Sequence, residues 1–173
     1  TQLEAINAQA NYAFELDDLF GAKAANWGGL NINASAYYIN DLNRFAIEPG
    51  RPGSTENPNE GEHTDPRLTT VMSLSHNVGK LSHTLQWFRD SGTVGNVLQP
   101  QGPVTQVLTF EQPAFNMYNY NLGYQVTENV EVRFVVNNLF NEFLDEPAFL
   151  DSNGAGRGDV LGRRFTLAIN ARF

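Results

Sequence analysis

The sequence contains no cysteine, which excludes disulfide bridges and thiolate metal sites. Basic residues are also scarce: 11 Lys and Arg stand against 19 Asp and Glu, for a net charge of −8. A nucleic-acid-binding surface needs clustered positive charge, so no nucleic-acid partner is predicted. No run of about 18 apolar residues occurs, so no membrane-spanning helix is predicted. With three His and no Ser–His–Asp spacing, we predict no catalytic residue, no cofactor and no enzymatic activity.

What the chain does contain is a repeated alternation of apolar and polar residues. It is most regular at Arg163–Phe173, where one face carries Phe165, Leu167, Ile169, Ala171 and Phe173. A period of two is the signature of a β-strand with two different faces. The same alternation predicts six earlier strands, over 6–16, over 30–38, on either side of a turn at 77–80, and over 118–126 and 130–137. Seven strands and no helix of consequence are therefore expected.

Two short turns fix the expected pairing of neighbouring strands. If Asn77 pairs with Lys80 across Val78-Gly79, Leu74 lies opposite His83. A three-residue turn, 127–129, is expected to pair Val126 with Val130. Both pairings keep the apolar residues of the two strands on one face, which supports the strand assignment.

The connections alternate in length, and this alternation favours a membrane protein. Long hydrophilic connections are predicted at 43–65, 90–113 and 141–162, with short turns between them. Outer-membrane barrels have long external loops, short periplasmic turns, an apolar outer band and a polar interior. About ten residues is also the length that a tilted strand needs to cross a bilayer. The predicted fold is therefore an all-β, antiparallel, up-and-down transmembrane β-barrel, with its carboxyl end on the periplasmic side.

Two motifs near the carboxyl end resemble those of TonB-dependent outer-membrane receptors. Asn137, Asn138, Leu139, Phe140 and Asn141 resemble the "N-L-F-D/N" element of the penultimate strand, and Gly162 and Arg163, followed by the last strand, resemble the "G-R…F" ending. The terminal Phe173 and its alternating strand also resemble the signal that the barrel-assembly machinery recognises. Residues 1–173 are similar to the carboxyl-terminal part of such a barrel, about seven of 22 strands, without the plug domain, the TonB box or the earlier strands.

This resemblance implies a function and a set of partners. Such receptors lie in the Gram-negative outer membrane and import scarce solutes with energy relayed by the TonB complex. The solute would be an iron–siderophore, cobalamin, a carbohydrate or a similar small molecule. The expected partners are outer-membrane lipid, the rest of the same barrel and its plug, TonB through the missing amino-terminal part, and the assembly machinery. The alternatives are a passive porin-like or adhesin barrel and a soluble glycan-binding β-sandwich.

Several polar and aromatic residues are candidates for contacts within this scheme. Side chains expected to face the lumen and the plug are Glu131, Arg133, Asn137, Arg164 and Arg172. Candidate solute contacts in the long connections are Phe110, Phe115, Phe143, Phe149 and Arg157. His76 and His83 share the outward face and are interpreted as interfacial polar residues. No metal site is assigned to them, to the acidic stretch 60–65 or to the sequence Asp-Ser-Asn-Gly at 151–154.

Overall fold

The computed structural model describes residues 1–43, 65–101, 104–143 and 161–172. Nine strands occur in these ranges: β1 (Gln2–Glu15), β2 (Gly29–Asn43), β3 (Leu68–Val78), β4 (Leu81–Asp90), β5 (Thr93–Gln101), β6 (Val104–Gln112), β7 (Phe115–Thr127), β8 (Val130–Asn137) and β9 (Arg164–Ala171). One short α-helix, α1 (Leu16–Phe20), and a 3-10 helix over Gly21–Ala24 follow β1. No helix in the described ranges is long and apolar enough to cross a membrane.

Seven of the strands form one antiparallel sheet in the order β1-β2-β3-β4-β7-β8-β9. Apart from β5 and β6, each strand pairs with the next one along the chain, which is the up-and-down order that the sequence predicts. The seven predicted strands are all present, and the all-β class is confirmed. Within the described residues β1 and β9 form the two edges of this sheet.

The stretch predicted as a second long loop, 90–113, was assigned wrongly. It contains β5 and β6, which pair as a separate two-stranded antiparallel sheet. In the sequence, three of its six Pro and Gly residues, Pro100, Gly102 and Pro103, stand near the middle of this stretch. The two arms are rich in Val, Leu and Thr, residues that favour extended backbone, and this local preference prevails.

The predicted pairing of β3 with β4 was wrong by two positions. Val78 pairs with Leu81, so that Leu74 lies opposite Leu85 rather than His83. Gly79 has φ +56 and occupies the first central position of a two-residue turn, where a type II′ hairpin requires positive φ. The predicted turn would have placed β-branched Val78 there instead. A shift of two residues leaves every side chain on its predicted face.

The predicted pairing of β7 with β8 holds along the strands and fails at the turn. Tyr124 pairs with Val132, as the predicted alignment requires. Next to the turn the register shifts and Thr127, not Val126, pairs with Val130. The extra residue forms a β-bulge, a common device at strand ends. At β1, the predicted strand to Leu16 ends one residue earlier, because Leu16 begins α1.

The sheet has one mainly apolar face, which also carries His76, His83 and Arg89, and one mainly polar face, which also carries Val71, Phe88 and Met117. A single register row on the apolar face runs through Tyr12, Ile32, Leu74, Leu85, Tyr120, Val136 and Phe165. A row on the opposite face runs through Asn11, Asn33, Ser73, Gln86 and Asn119. Few apolar side chains are buried in the described part of the chain, namely Ala24, Ile39, Leu42, Phe115 and Val136. Within the described residues, no second layer therefore packs on this sheet to bury its apolar face.

The antiparallel order also sorts the connections by length. The links at 44–67, 91–114 and 138–163 all leave from one end of the sheet. The opposite end carries the two-residue turns 79–80 and 128–129 and the helical link 16–28. We call these the long-link end and the short-turn end. This is the arrangement expected from the sequence.

Candidate functional site

The largest candidate site is the apolar face of the seven-stranded sheet. The side chains of β9 on this face are the most open, with Phe165 63% exposed and Leu167 and Ile169 each 68% exposed. Ala171 completes the set, whereas Phe173 lies outside the described residues. Phe134 of β8 stacks on Phe165 with ring centroids 6.1 Å apart. In a water-soluble protein such a large contiguous apolar surface marks a place where something else binds.

The apolar face carries a shallow hollow near its middle. The hollow has a volume of about 410 Å³ and is lined chiefly by Ile32, Met72, Leu74, Leu85, Trp87 and Tyr118. Trp87 and Tyr118 are stacked with ring centroids 6.4 Å apart, and Phe140 meets Tyr118 edge-on at 5.0 Å. The indole N–H of Trp87 donates to Asn116 Oδ1 at 3.1 Å. This aromatic group lies toward the long-link end, with its single indole donor already satisfied.

The polar face is built from hydrogen-bonded amide and hydroxyl groups. Asn33 Nδ2 donates to Ser73 Oγ at 3.3 Å, and the Ser75 and Thr84 hydroxyls lie 2.9 Å apart. Asn119 Nδ2 donates to Gln86 Oε1 at 3.4 Å. These bonds join side chains on neighbouring strands, so the polar face is cross-linked laterally by uncharged groups.

The residues predicted to face a lumen lie on this polar face, in two groups at opposite ends of β8 and β9. Glu131 and Arg133 form an ion pair at 3.0 Å. Asn170 of β9 donates to Glu131 Oε2 at 3.3 Å. Arg164 pairs with Asn137 in the register, and the Arg172 side chain lines the same hollow as Glu131 and Arg133. The structure thus brings Glu131 and Arg133 of β8 together with Arg172, which follows β9, near the short-turn end, whereas Arg164 lies near the other end.

The motif at Asn137–Asn141 forms a tight turn after β8. Asn138 has φ +55, is fully buried, and its side-chain amide exchanges two hydrogen bonds of 2.8 Å with the backbone of Glu142. Its backbone N–H donates to Asn119 Oδ1 at 3.0 Å, and the N–H of Leu139 donates to the Tyr118 carbonyl. Asn138 therefore satisfies backbone hydrogen-bonding groups at the point where β8 ends and its strand pairing stops.

The two family-like motifs contact one another at this turn. Asn141, which also has positive φ, accepts a hydrogen bond of 2.8 Å from the Arg163 N–H through its Oδ1. Gly162 has φ +66, and a Cβ placed there would lie 2.5 Å from Phe143 Cζ and 2.8 Å from Asn141 Oδ1. We call Asn138, Asn141, Phe143, Gly162 and Arg163 the motif junction. It ties the end of β8 to the start of β9.

Sequence reasoning gave these residues only as a family-like motif and missed what they do. A usable signal existed, because Asn is among the few non-glycine residues enriched at positive φ. Two of the three asparagines in the motif take that conformation. Asn119 carries no comparable signal, since its role depends on which strand lies beside β8, and Glu142 contributes only backbone groups, which leave no mark in the sequence.

The other candidates from the sequence differ in their exposure, and some lie outside the described residues. Phe115 is 5% exposed and is thus a buried residue rather than an open solute contact. Phe143 is half-exposed and packs beside Gly162. Several candidates lie outside the described residues, namely Phe149, Arg157, the acidic residues 60–63 and the sequence 151–154. The side chain of Phe110 is also not described. No group of three or more metal-ligating side chains occurs in the part of the chain that the structure describes.

Comparison with known proteins does not place this chain in a family. The interpretation of the two faces and of the motif junction therefore depends on their geometry and on the resemblance carried by the residues themselves. No protein-family model matches the chain, and no curated protein matches it.

Proposed function

We propose that this chain forms part of a transmembrane β-barrel in the Gram-negative outer membrane. In this proposal the apolar face contacts lipid and the polar face lines the lumen. The single observation that carries it is the mainly apolar face, which crosses all seven strands and carries exposed apolar side chains such as Tyr12, Leu74 and Leu167. A lipid-facing barrel wall requires this alternation in every strand.

The proposal extends to the receptor class that the sequence resembles. We infer that the chain is the carboxyl-terminal part of a TonB-dependent receptor that imports a scarce solute. The motif junction supports this inference, because the residues that resemble the two family motifs contact each other directly. The ion-paired group around Glu131 and Arg133 would then face the plug, and the long links would face the exterior, where solute is captured.

A glycan-binding β-sandwich fits the geometry less well. In a sandwich a second sheet packs about 10 Å from the first and covers its apolar face. Here the side chains of β9 on that face are about two-thirds exposed. A passive porin or adhesin would share the lipid-facing wall, and a plug domain and TonB box encoded upstream of Thr1 would distinguish the receptor from it.

Cysteine scanning tests the membrane assignment directly, because the chain has no native cysteine. Single cysteines at Leu85, Leu122 and Leu167 probe the apolar face, and cysteines at Gln86, Asn121 and Thr166 are their neighbours on the polar face. Each would carry a nitroxide spin label in the outer-membrane protein. We expect apolar-face labels to collide with membrane-dissolved oxygen and polar-face labels to collide with a water-soluble nickel chelate.

We expect the more effective relaxing agent to alternate from one residue to the next along each strand, oxygen on the apolar face and the nickel chelate on the polar face. Equal access of the water-soluble agent to both faces would overturn the membrane proposal. Preferential oxygen access on the polar face would also overturn it, because the two faces would then be inverted.

A further inference from the structure

Two of the three histidines of the chain face each other on adjacent strands. His76 of β3 and His83 of β4 are direct register partners, and His76 Nδ1 lies 2.8 Å from His83 Nε2. The ring centroids are 4.9 Å apart with the planes nearly perpendicular. Both side chains are half-buried, so their facing nitrogens are held in place yet remain accessible.

The nitrogens that point away from this contact both have oxygen partners. His76 Nε2 lies 2.6 Å from the Trp27 carbonyl oxygen, and His83 Nδ1 lies 3.4 Å from the Tyr120 hydroxyl. A carbonyl can only accept, so His76 carries its proton on Nε2. In the neutral ring this leaves a lone pair on Nδ1, directed at His83.

We propose that His76 and His83 form a binding site for a divalent transition-metal ion, with Zn²⁺ and Cu²⁺ as the fitting ions. Imidazole nitrogen suits both metals. Metal–nitrogen distances of about 2.0–2.1 Å at a tetrahedral angle require the two nitrogens to lie about 3.3 Å apart. The observed 2.8 Å separation therefore needs to open by about half an ångström.

The surroundings supply the outer partners that such a site needs. A metal-bound histidine characteristically donates its other N–H to a carbonyl, carboxylate or water, which fixes the ring and raises its basicity. The Trp27 carbonyl already serves His76 in this way. When metal binds, His83 carries its proton on Nδ1 and donates it to the Tyr120 oxygen, while the Tyr120 hydroxyl proton turns outward. Water completes the coordination sphere.

Leucines flank the pair along the same register row. Leu30 of β2 is the partner of His76, and Leu122 of β7 is the partner of His83. An apolar border limits the access of water to the outer hydrogen bonds and so strengthens them. This site does not depend on the proposed transport function, because it uses only the pairing of β2, β3, β4 and β7.

Site-resolved chemical modification with Zn²⁺ as the probe tests the site without altering the chain. The protein would be purified in detergent with the segments that complete its sheet, and treated with diethyl pyrocarbonate, which modifies neutral imidazole. At free Zn²⁺ ten times the dissociation constant, only about one site in eleven is empty. We therefore expect modification of His76 and His83 to slow about tenfold, and His63 to react as before. Unchanged rates at His76 and His83 would overturn the proposal.

Variants identify the ligands with Cu²⁺ as a second probe. The wild type should show two equivalent imidazole nitrogens in electron paramagnetic resonance, and His76→Ala and His83→Ala should each lose one. His63→Ala is the matched control and should bind as the wild type does. Tyr120→Phe removes only the outer hydroxyl and should weaken binding about 10-fold to 100-fold.

Circular dichroism of each variant checks that the sheet is retained. Binding that survives in the His76→Ala/His83→Ala double variant, or that disappears in His63→Ala, would refute the site. A variant that fails to fold leaves the modification experiment on the wild type as the deciding measurement.

Discussion

Backbone conformation at single residues shapes both ends of the sheet. Gly79 takes positive φ in the β3–β4 turn at the short-turn end, and Gly162 takes it at the motif junction. Their surroundings differ, because a Cβ at Gly79 would meet nothing within 4 Å whereas one at Gly162 would collide with Phe143 and Asn141. Substitution of Gly79 therefore tests the energetic cost of positive φ alone, whereas substitution of Gly162 adds the cost of a steric clash.

Alanine substitution at these two glycines should give different losses of stability. Gly79→Ala should lower the free energy of unfolding by about 1–2 kcal/mol, the cost of a left-handed conformation for an L-residue. Gly162→Ala should cost at least about 1 kcal/mol more, because the methyl group also displaces packed neighbours. Urea unfolding of the detergent-purified protein measures both values. Equal losses would show that the motif junction is loosely packed.

Asn138 shows why residue-level roles escaped prediction. Its positive φ was foreseeable from residue type, but its burial and its bonds to Asn119 and Glu142 were not. The Asn119 bond joins residues 19 positions apart and exists only once β7 and β8 have paired, whereas the Glu142 bonds use backbone groups that almost any residue there would supply. Local sequence patterns do not contain such information.

At the scale of elements, β9 presents a sharp contrast between its two faces. Leu167 is on the apolar face and Thr166 on the polar face, and both are exposed in the described sheet. In water an arginine at either exposed position would change stability little. In a bilayer only the lipid-facing position would be costly.

We predict that Leu167→Arg destabilises the membrane-embedded protein by about 2–4 kcal/mol, the cost of an arginine on the lipid face near the bilayer centre. Thr166→Arg is the matched control and should change stability by less than about 1 kcal/mol. Unfolding in urea from lipid vesicles measures the difference. Similar small effects at the two positions would place both faces in water.

Strand identity was predictable from alternation, while the β3–β4 register and the β5–β6 pair were not. Alternation shows only which face each side chain occupies. A register slip of two residues between β3 and β4 leaves every side chain on its face, so alternation cannot detect it. At 90–113 the predicted loop overlooked the Val-rich arms that form the hairpin. Both errors concern features that depend on turn geometry or on which strands pair, and alternation reports neither of these.

At the scale of the whole molecule, the edges β1 and β9 govern what the described sheet can do alone. An edge strand presents N–H and C=O groups that lipid cannot satisfy. The burial of apolar side chains within the described residues is also slight. The sheet is therefore expected to depend on other strands for insertion.

The isolated chain should fail to insert as a monomer. Refolded alone in detergent, it should migrate at one position on a gel whether or not the sample is boiled. If the proposed function is correct, a complete barrel that contains this sheet serves as the control and should migrate faster before boiling. A compact, boiling-sensitive band from the isolated chain would contradict the prediction.

The described sheet has an odd number of strands, and this constrains its neighbours. Because strands alternate in direction, β1 and β9 point the same way. Two such sheets placed side by side in one orientation would meet as parallel pairs, so copies that share an orientation cannot extend the antiparallel ladder. A closed, wholly antiparallel ring is achieved only if an odd number of further strands lies between these two edges.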